Sequence, residues 1–176
     1  MADPMRIRAQ ASGDKATVRV LMSHEMESGQ RKDGNGKTIP AWHIQNITAS
    51  LNGKPVMTAE WGPAVSKNPF LQFNIKGAKA GDKVTITGPD IAENGAVVPL
   101  GVSTSLPNAK RLLLLVEKNP SAMVAMFNVS PEVDANFATR SKMGQSSDVY
   151  AVAITNDGKA FFAKKEVKVT LGGCGG

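Results

Sequence analysis

The sequence contains a single cysteine, only 5% aromatic residues and no long apolar run. One cysteine excludes an internal disulfide and leaves the redox compartment undefined, because disulfide density cannot be read from it. The longest aliphatic stretch, residues 112–116, is far shorter than the roughly 18 apolar residues of a membrane-spanning helix. The first residues lack the basic and apolar regions of an export signal. We therefore expect no membrane-spanning segment, and the sequence shows no export signal.

The positive charge of the chain does not follow a nucleic-acid-binding pattern. The formal net charge is +6, but the lysines are scattered singly and the few aromatic residues form no stacking platform. This distribution argues against nucleic-acid binding. It favours a weaker attraction to anionic cargo or to acidic surfaces of partner proteins.

The two histidines are candidates for metal binding or catalysis. On a strand, Met22, His24 and Met26 would point to one face, and thioether sulfur together with imidazole suits Cu(I). The other interpretation is a strand end whose methionines pack in the core, because the sequence indicates no fourth ligand. His43 has no serine or carboxylate at a catalytic spacing. The sequence therefore predicts no resident cofactor, with a copper site as the alternative.

Apolar and polar residues alternate along almost the whole chain, which is the signature of half-buried strands. No helical period of adequate length is present. The pattern predicts twelve strands, at residues 5–9, 16–21, 42–48, 56–59, 70–75, 84–87, 97–102, 112–116, 123–129, 137–140, 149–155 and 161–171. Asn52-Gly53 predicts a two-residue type I′ hairpin, which needs positive φ at both positions. Asn156-Asp157-Gly158 predicts another hairpin.

The spacing of the strands indicates an all-β protein with two tandem immunoglobulin-like β-sandwich domains. Six short strands precede the break at Gly88-Pro89-Asp90, and about six follow it. We place the first domain at residues 1–90 and the second at residues 91–171. A single larger sandwich of a dozen strands is the structural alternative. Because domains of this size bury little surface alone, we expect the halves to meet through an apolar surface.

The chain ends in Leu171-Gly172-Gly173-Cys174-Gly175-Gly176, where nothing in the sequence shields the thiol. Glycine visits backbone conformations closed to other residues, so residues 172–176 are predicted to form a mobile arm. A catalytic cysteine needs an activated thiolate, and neither a cation nor a helix N-terminus adjoins Cys174. The sulfur can extend roughly 10 Å beyond Leu171. These properties predict a handle for covalently attached cargo.

Two other segments each allow two interpretations. The connection at residues 61–70 contains one tryptophan and two prolines, and it is either a packed corner or a contact surface. Lys164, Lys165 and Lys168 precede the arm. They form either a solvated strand face or a cationic surface that attracts acidic partners to the base of the arm.

These motifs together resemble the carrier protein of the thiosulfate-oxidising Sox system, with its SoxZ and SoxY subunits joined in one polypeptide. The SoxZ-like motifs are Arg19-Val20-Leu21-Met22 with His24 and Met26, Gly36-Lys37 leading to Ile39-Pro40-Ala41, Asn52-Gly53-Lys54-Pro55-Val56, and residues 61–70, which are the most specific. The SoxY-like motifs are Ile91-Ala92-Glu93-Asn94-Gly95, Val98-Pro99, Glu117-Lys118-Asn119-Pro120 and the terminal residues 167–176.

The resemblance implies a non-catalytic carrier of the bacterial periplasm. In the family, a c-type cytochrome enzyme conjugates thiosulfate to the arm cysteine, here Cys174. A sulfate-releasing hydrolase and a sulfane dehydrogenase then act on the adduct. The two subunits are immunoglobulin-like sandwiches that pair with each other, so the halves here are expected to pair within one chain or between two.

Two alternative functions for the C-terminus follow from its glycines. Ubiquitin-like carriers activate a terminal Gly-Gly carboxylate, but their β-grasp fold needs a helix that this sequence does not predict. Gly-Gly-Cys-Gly-Gly also has the form of an artificial conjugation tag. Its continuity with the ending of the Sox family argues against that interpretation.

Overall fold

The computed structural model describes residues 5–77, 84–87 and 97–169. These residues form strands, turns and loops, and no helix long and apolar enough to cross a membrane occurs among them. The prediction of an all-β fold is confirmed. The strands are β1 (Arg6–Ser12), β2 (Lys15–Leu21), β3 (Asn46–Leu51), β4 (Lys54–Trp61), β5 (Phe70–Lys76), β6 (Val84–Thr87), β7 (Val98–Ser103), β8 (Ala109–Val116), β9 (Met123–Val129), β10 (Val133–Ser141), β11 (Ser147–Thr155) and β12 (Ala160–Val167).

The strands form two antiparallel sheets. One has five strands in the order β1-β2-β5-β10-β7, and the other has seven in the order β12-β11-β8-β9-β4-β3-β6. Strands β1 to β6 belong to the first half of the chain and β7 to β12 to the second. Each half therefore contributes strands to both sheets, which is consistent with tandem immunoglobulin-like sandwiches.

Hydrogen-bonded strand pairs join the two halves. In the five-stranded sheet β5 pairs with β10, with Phe73 opposite Phe137, and in the seven-stranded sheet β4 pairs with β9, with Ala59 opposite Phe127. Both sheets thus run without a break across the halves. These continuous sheets are compatible with both predicted arrangements, two tandem sandwiches and one larger sandwich. The predicted boundary near Asp90 lies outside the described residues and stays a prediction.

Three phenylalanines connect the halves in the core. Phe73 is in the first half, whereas Phe127 and Phe137 are in the second, and each is at most 1% exposed. The rings of Phe127 and Phe137 stack with centroids 4.4 Å apart, and those of Phe73 and Phe137 are 6.4 Å apart. Aromatic pairs at these distances stabilise beyond their buried area. The halves meet through an apolar surface, as the sequence led us to expect.

The turn chemistry follows the sequence closely. Asn52 and Gly53 both have positive φ, at 51° and 84°, as a type I′ hairpin between β3 and β4 requires. Gly158 has a φ of 82° in the turn between β11 and β12. Both predicted hairpins are therefore confirmed.

Two predicted strands extend four residues beyond the observed strand at one end, whereas most of the others differ by one to four residues in their bounds. The strand predicted at residues 42–48 begins only at Asn46, and Trp42 instead forms an isolated bridge with Glu27. The backbone N–H and carbonyl of Trp42 form hydrogen bonds with Glu27 within a hairpin of residues 27–42, so they do not pair with a strand of the sheet. The strand predicted at residues 161–171 ends at Val167.

Three ion pairs also link the two halves. Lys54 lies 2.7 Å from the Glu132 carboxylate, and Lys15 and Lys76 lie 3.0 and 3.7 Å from Asp134. The lysines belong to the first half and both carboxylates to the second. All three lysines are about half exposed or more, so each pair contributes little to stability by itself.

Acid is expected to weaken the folded protein partly through Glu132. Hydrogen bonds from Lys54 and Ser130 lower the pKa of Glu132 from 4.5 to about 2. Because the folded pKa lies below the unfolded one, this contribution to stability is present above pH 4.5 and is lost as the pH falls toward 2. Urea unfolding between pH 2 and 6 should therefore show a shallower acid dependence in Glu132→Gln than in the wild type. An identical pH dependence in both proteins would contradict this assignment.

Candidate functional site

The last described residues hold the base of the predicted arm. The Val169 N–H donates to the Ser146 hydroxyl at 2.8 Å, and this hydroxyl lies 3.5 Å from the Val169 carbonyl oxygen. Val169 is half-buried against the core. We call Val169 and Ser146 the arm root. Residues 170–174 can span at most about 17 Å from it. Cys174, Gly172, Gly173, Gly175 and Gly176 lie outside the described residues, and their roles stay predictions.

Two lysines of β12 and one just after it lie on solvent-accessible positions before the arm root. Lys164, Lys165 and Lys168 are all exposed. The Lys164 ammonium contacts the Asp148 carboxylate at 2.5 Å and lies 5.9 Å from the centre of the Tyr150 ring. The hydrogen bond to Asp148 raises the pKa of Lys164. The ion pair of Lys164 favours the interpretation as a solvated strand face, and the cationic surface that attracts acidic partners stays a prediction.

A cleft of about 1090 Å³ lies at the opposite end of the second half. Its lining includes Lys15, Asp134 and Asn156. Strand β11 runs from Ser147, next to the arm root, to Thr155, next to Asn156. Its nine residues separate the two ends by about 26 Å at the usual rise of a strand. The cleft is therefore beyond the reach of this chain's own arm.

Lys142 joins the two halves close to the arm root. It follows β10 in the second half and is only 5% exposed. Its ammonium donates to the carbonyl oxygens of Met26 and Pro63, the latter at 3.2 Å, and both residues belong to the first half. Its backbone N–H donates to the Ala64 carbonyl at 2.7 Å. Burying a charge is costly unless hydrogen bonds compensate, so these contacts fix the relative position of the halves.

The charges around Lys142 give it a structural rather than a catalytic setting. Burial lowers the pKa of Lys142, and the carboxylates of Glu27 and Glu25 oppose this shift. The pKa of His43 is lowered mainly by burial and, to a smaller extent, by the positive charge of Lys142. The His43 Nδ1 atom is buried and has no hydrogen-bond partner among the described residues. Two backbone carbonyls occupy the Lys142 ammonium, so it is not presented to a substrate.

The alternative copper site at Met22, His24 and Met26 is not favoured by the structure. Strand β2 ends at Leu21, before all three residues, and Met26 has a left-handed backbone with a φ of 55°. The strand alternation that would align their side chains is therefore absent. The three side chains are at most 4% exposed, in agreement with the packing interpretation.

Two donor atoms of this trio already take part in hydrogen bonds. The His24 Nδ1 atom accepts from the Met26 N–H at 3.0 Å, and the Met26 sulfur accepts from the Ile44 N–H at 3.4 Å. No cluster of three or more His, Cys, Asp or Glu side chains suited to a metal ion is found in the described part of the chain. These contacts shape the turn after β2 instead.

The connection at residues 61–70 is both a packed corner and a contact surface between the halves. Val65 is fully buried and forms a bridge with Ser141, and the Ser66 N–H donates to the Arg140 carbonyl at 2.9 Å. Gly62 is pressed against β9, where a Cβ atom would lie 2.2 Å from the Met123 carbonyl oxygen. Both interpretations offered by the sequence therefore apply.

Gly62 lies in the motif at residues 61–70, but Lys142 and Ser146 gave no signal in the sequence. Lys142 looks like any surface lysine and Ser146 like any loop serine. Their importance depends on contacts with residues distant in the sequence. The Lys142 ammonium binds carbonyls 116 and 79 positions away and Ser146 binds Val169, 23 positions away, so a local sequence pattern cannot report these contacts.

Two family models match the chain. The model described as sulphur oxidation protein SoxZ matches residues 5–96, and the one described as sulfur oxidation protein SoxY matches residues 72–174. No curated protein matches the sequence. The two matches share residues 72–96, which include the predicted boundary near Asp90. Since each model covers more than half of the chain, the protein belongs to the SoxZ and SoxY families and is a component of the Sox sulfur-oxidation system.

Proposed function

We propose that this protein is a non-catalytic carrier that holds thiosulfate-derived adducts on Cys174 and presents them to enzymes of the Sox system. The SoxY match, which reaches residue 174, is the observation that carries the proposal. Cys174 is the only cysteine and is flanked by two glycines on each side. The fixed arm root and a reach of about 17 Å suit delivery of the sulfur into the active site of another protein.

The proposed loading step is an oxidation. The Cys174 thiolate and the terminal sulfur of thiosulfate form an S–S bond, and the two electrons released pass to the conjugating c-type cytochrome enzyme. The product is a Cys–S–S–SO₃⁻ group. In the next step a hydrolase adds one water molecule, cleaves the bond to the sulfonate sulfur and releases sulfate, leaving a Cys–S–S⁻ group and protons. A sulfane dehydrogenase then accepts electrons from the remaining outer sulfur, which takes up oxygen from water and releases protons as it becomes a sulfonate.

The chemistry in this proposal belongs to the partner enzymes. The carrier contributes the thiol, the arm and a rigid body on which the arm is mounted. Ordering a glycine-rich arm in a partner costs conformational entropy, of order 1 to 2 kcal/mol for each residue. The complexes are therefore expected to be transient. As the family resemblance implies, the proposed compartment is the periplasm.

Intact-mass measurement of the protein from its own cells, grown on thiosulfate, tests the proposal. A fraction of the molecules is expected to carry a thiosulfate-derived or sulfane group, because the adduct remains covalently bound between partners. A thiol reductant should remove the group, and peptide mapping should place it on the C-terminal peptide. Protein that is unmodified throughout growth, or modified only elsewhere, would overturn the proposal.

A further inference from the structure

Residues 27–42 of the first half form an ordered hairpin, which we call the 27–42 hairpin. Glu27 and Trp42 exchange two backbone hydrogen bonds of 2.8 Å. Farther along, the Ile39 N–H donates to the Arg31 carbonyl at 2.8 Å. The hairpin is therefore held in shape by its own backbone hydrogen bonds.

The tip of the 27–42 hairpin is built on one carboxylate. Asp33 accepts hydrogen bonds from the backbone N–H groups of Asn35 and Lys37, each at 2.9 Å. Residues 30–38 and 40–42 are all exposed. The hairpin thus buries little apolar surface, and core packing does not account for the ordering of so many residues. An ordered, exposed segment on a rigid scaffold is suited to recognition.

The base of the 27–42 hairpin is anchored in the body of the protein. Trp42 is 48% exposed, and the centre of its ring lies 5.0 Å from that of the fully buried His24. Next to Glu27, the Met26 carbonyl accepts a hydrogen bond from the Lys142 ammonium. Tryptophans that are partly exposed and rigidly held are typical anchors of protein interfaces.

One short loop connects the hairpin base to the arm root. Lys142 begins this loop and contacts Met26, and Ser146, four residues later, holds Val169. Five residues span at most about 14 Å from the first Cα atom to the last. This distance is comparable with the reach of the arm itself. A protein that receives the arm can therefore contact the base of the hairpin, and Lys32 and Lys37 each lie five residues farther along it.

The exposed charge of the hairpin is positive. Arg31 pairs with Glu27, and the Asp33 carboxylate, which accepts from backbone N–H groups at the tip, keeps its charge, so Arg31, Lys32 and Lys37 against Glu27 and Asp33 leave residues 27–42 with a net charge of +1. Lys32 and Lys37 are exposed, and neither joins an ion pair found within the part of the chain that the structure describes. Two lysines on a rigid tip would attract an acidic surface and would raise the rate of encounter with it.

We infer that the 27–42 hairpin is a second docking element, which binds an acidic protein surface beside the opening that receives the Cys174 arm. This inference rests on the proposed carrier function. The SoxZ half then supplies recognition while the SoxY half supplies the thiol. Lys32 and Lys37 make the charge contacts, and Trp42 supplies the apolar anchor.

Charge reversal at the tip tests this inference. The double variant Lys32→Glu/Lys37→Glu is compared with Lys110→Glu/Lys159→Glu, which has the same net charge but changes exposed lysines near the distant cleft. Both are made in a Cys174→Ser background, so that binding is measured without chemistry. The probe is the purified c-type cytochrome conjugating enzyme, and affinity is measured at several salt concentrations. The tip variant should bind about tenfold more weakly at low salt, with a reduced salt dependence.

The control should change affinity much less, and Lys32→Arg/Lys37→Arg should bind like the parent. Equal losses in the tip variant and the control, or no loss in either, would overturn the docking role. Binding of the parent to anionic phospholipid vesicles but not to the cytochrome would also overturn it. Adduct formation by the Cys174-containing protein at saturating cytochrome is measured separately. If no adduct forms but binding depends on the tip, the carrier function fails and the docking role stands.

Discussion

Replacing Cys174 by serine is expected to abolish loading with thiosulfate and to leave thermal unfolding unchanged. Serine has nearly the same size, but its oxygen cannot form the S–S bond that the proposed adduct requires. No other cysteine is available to replace it. Because Cys174 follows the last predicted strand and is flanked by glycines, we expect no contribution from its side chain to the core. Mass spectrometry of reconstituted reactions and calorimetry measure the two effects.

Deletion of Gly176 is the matched control for this variant. The shortened chain retains the thiol, so loading should persist while transfer to the next enzyme becomes slower. A carrier that activated its terminal Gly-Gly carboxylate would instead lose all activity on this deletion. A clear fall in the melting temperature of Cys174→Ser would contradict the mobile arm.

Gly62→Ala is expected to have the largest effect on stability. The added methyl group would lie 2.2 Å from the Met123 carbonyl oxygen, and this oxygen belongs to the backbone of β9. Neither β4 nor β9 can move away easily, because their pairing joins the two halves. We expect a loss of about 2 to 4 kcal/mol in the free energy of unfolding. Urea denaturation measures it directly.

Gly144→Ala provides the control for the backbone change itself. A Cβ atom at Gly144 would have no neighbour within 4 Å, so this variant should unfold within about 1 kcal/mol of the wild type. Equal stability of Gly62→Ala and the wild type would show that β4 and β9 are not tightly paired in solution.

The hairpin turns illustrate how much local chemistry can predict. Asn52 and Gly53 accept positive φ more readily than other residues, so their sequence alone was enough to place the β3–β4 turn. The same is true of Gly158 between β11 and β12. Strand alternation was equally informative, because a sheet with one buried face imposes it on the strands that pack against the core, such as β2 and β5. Local conformation and family membership could therefore be predicted before any contact was known.

The candidate site was only partly predictable. The isolated cysteine and its glycines indicated a carrier arm, since their chemistry is visible without a partner. The 27–42 hairpin was missed, because alternation at Trp42 looked like the start of a strand. Met22, His24 and Met26 were aligned on a hypothetical strand that ends before them. Backbone hydrogen bonds made over longer distances decided both cases.

The sequence by itself determined the all-β class, the order of the SoxZ-like and SoxY-like halves, the tight turns and the position of the only thiol. Each of these depends on residues that are close together in the chain. The tertiary structure alone decided that β4 pairs with β9 and β5 with β10, that Lys142 is buried between the halves, and that Gly62 has no room for a side chain. Those features depend on which surfaces of the two halves meet, and neither half contains that information alone.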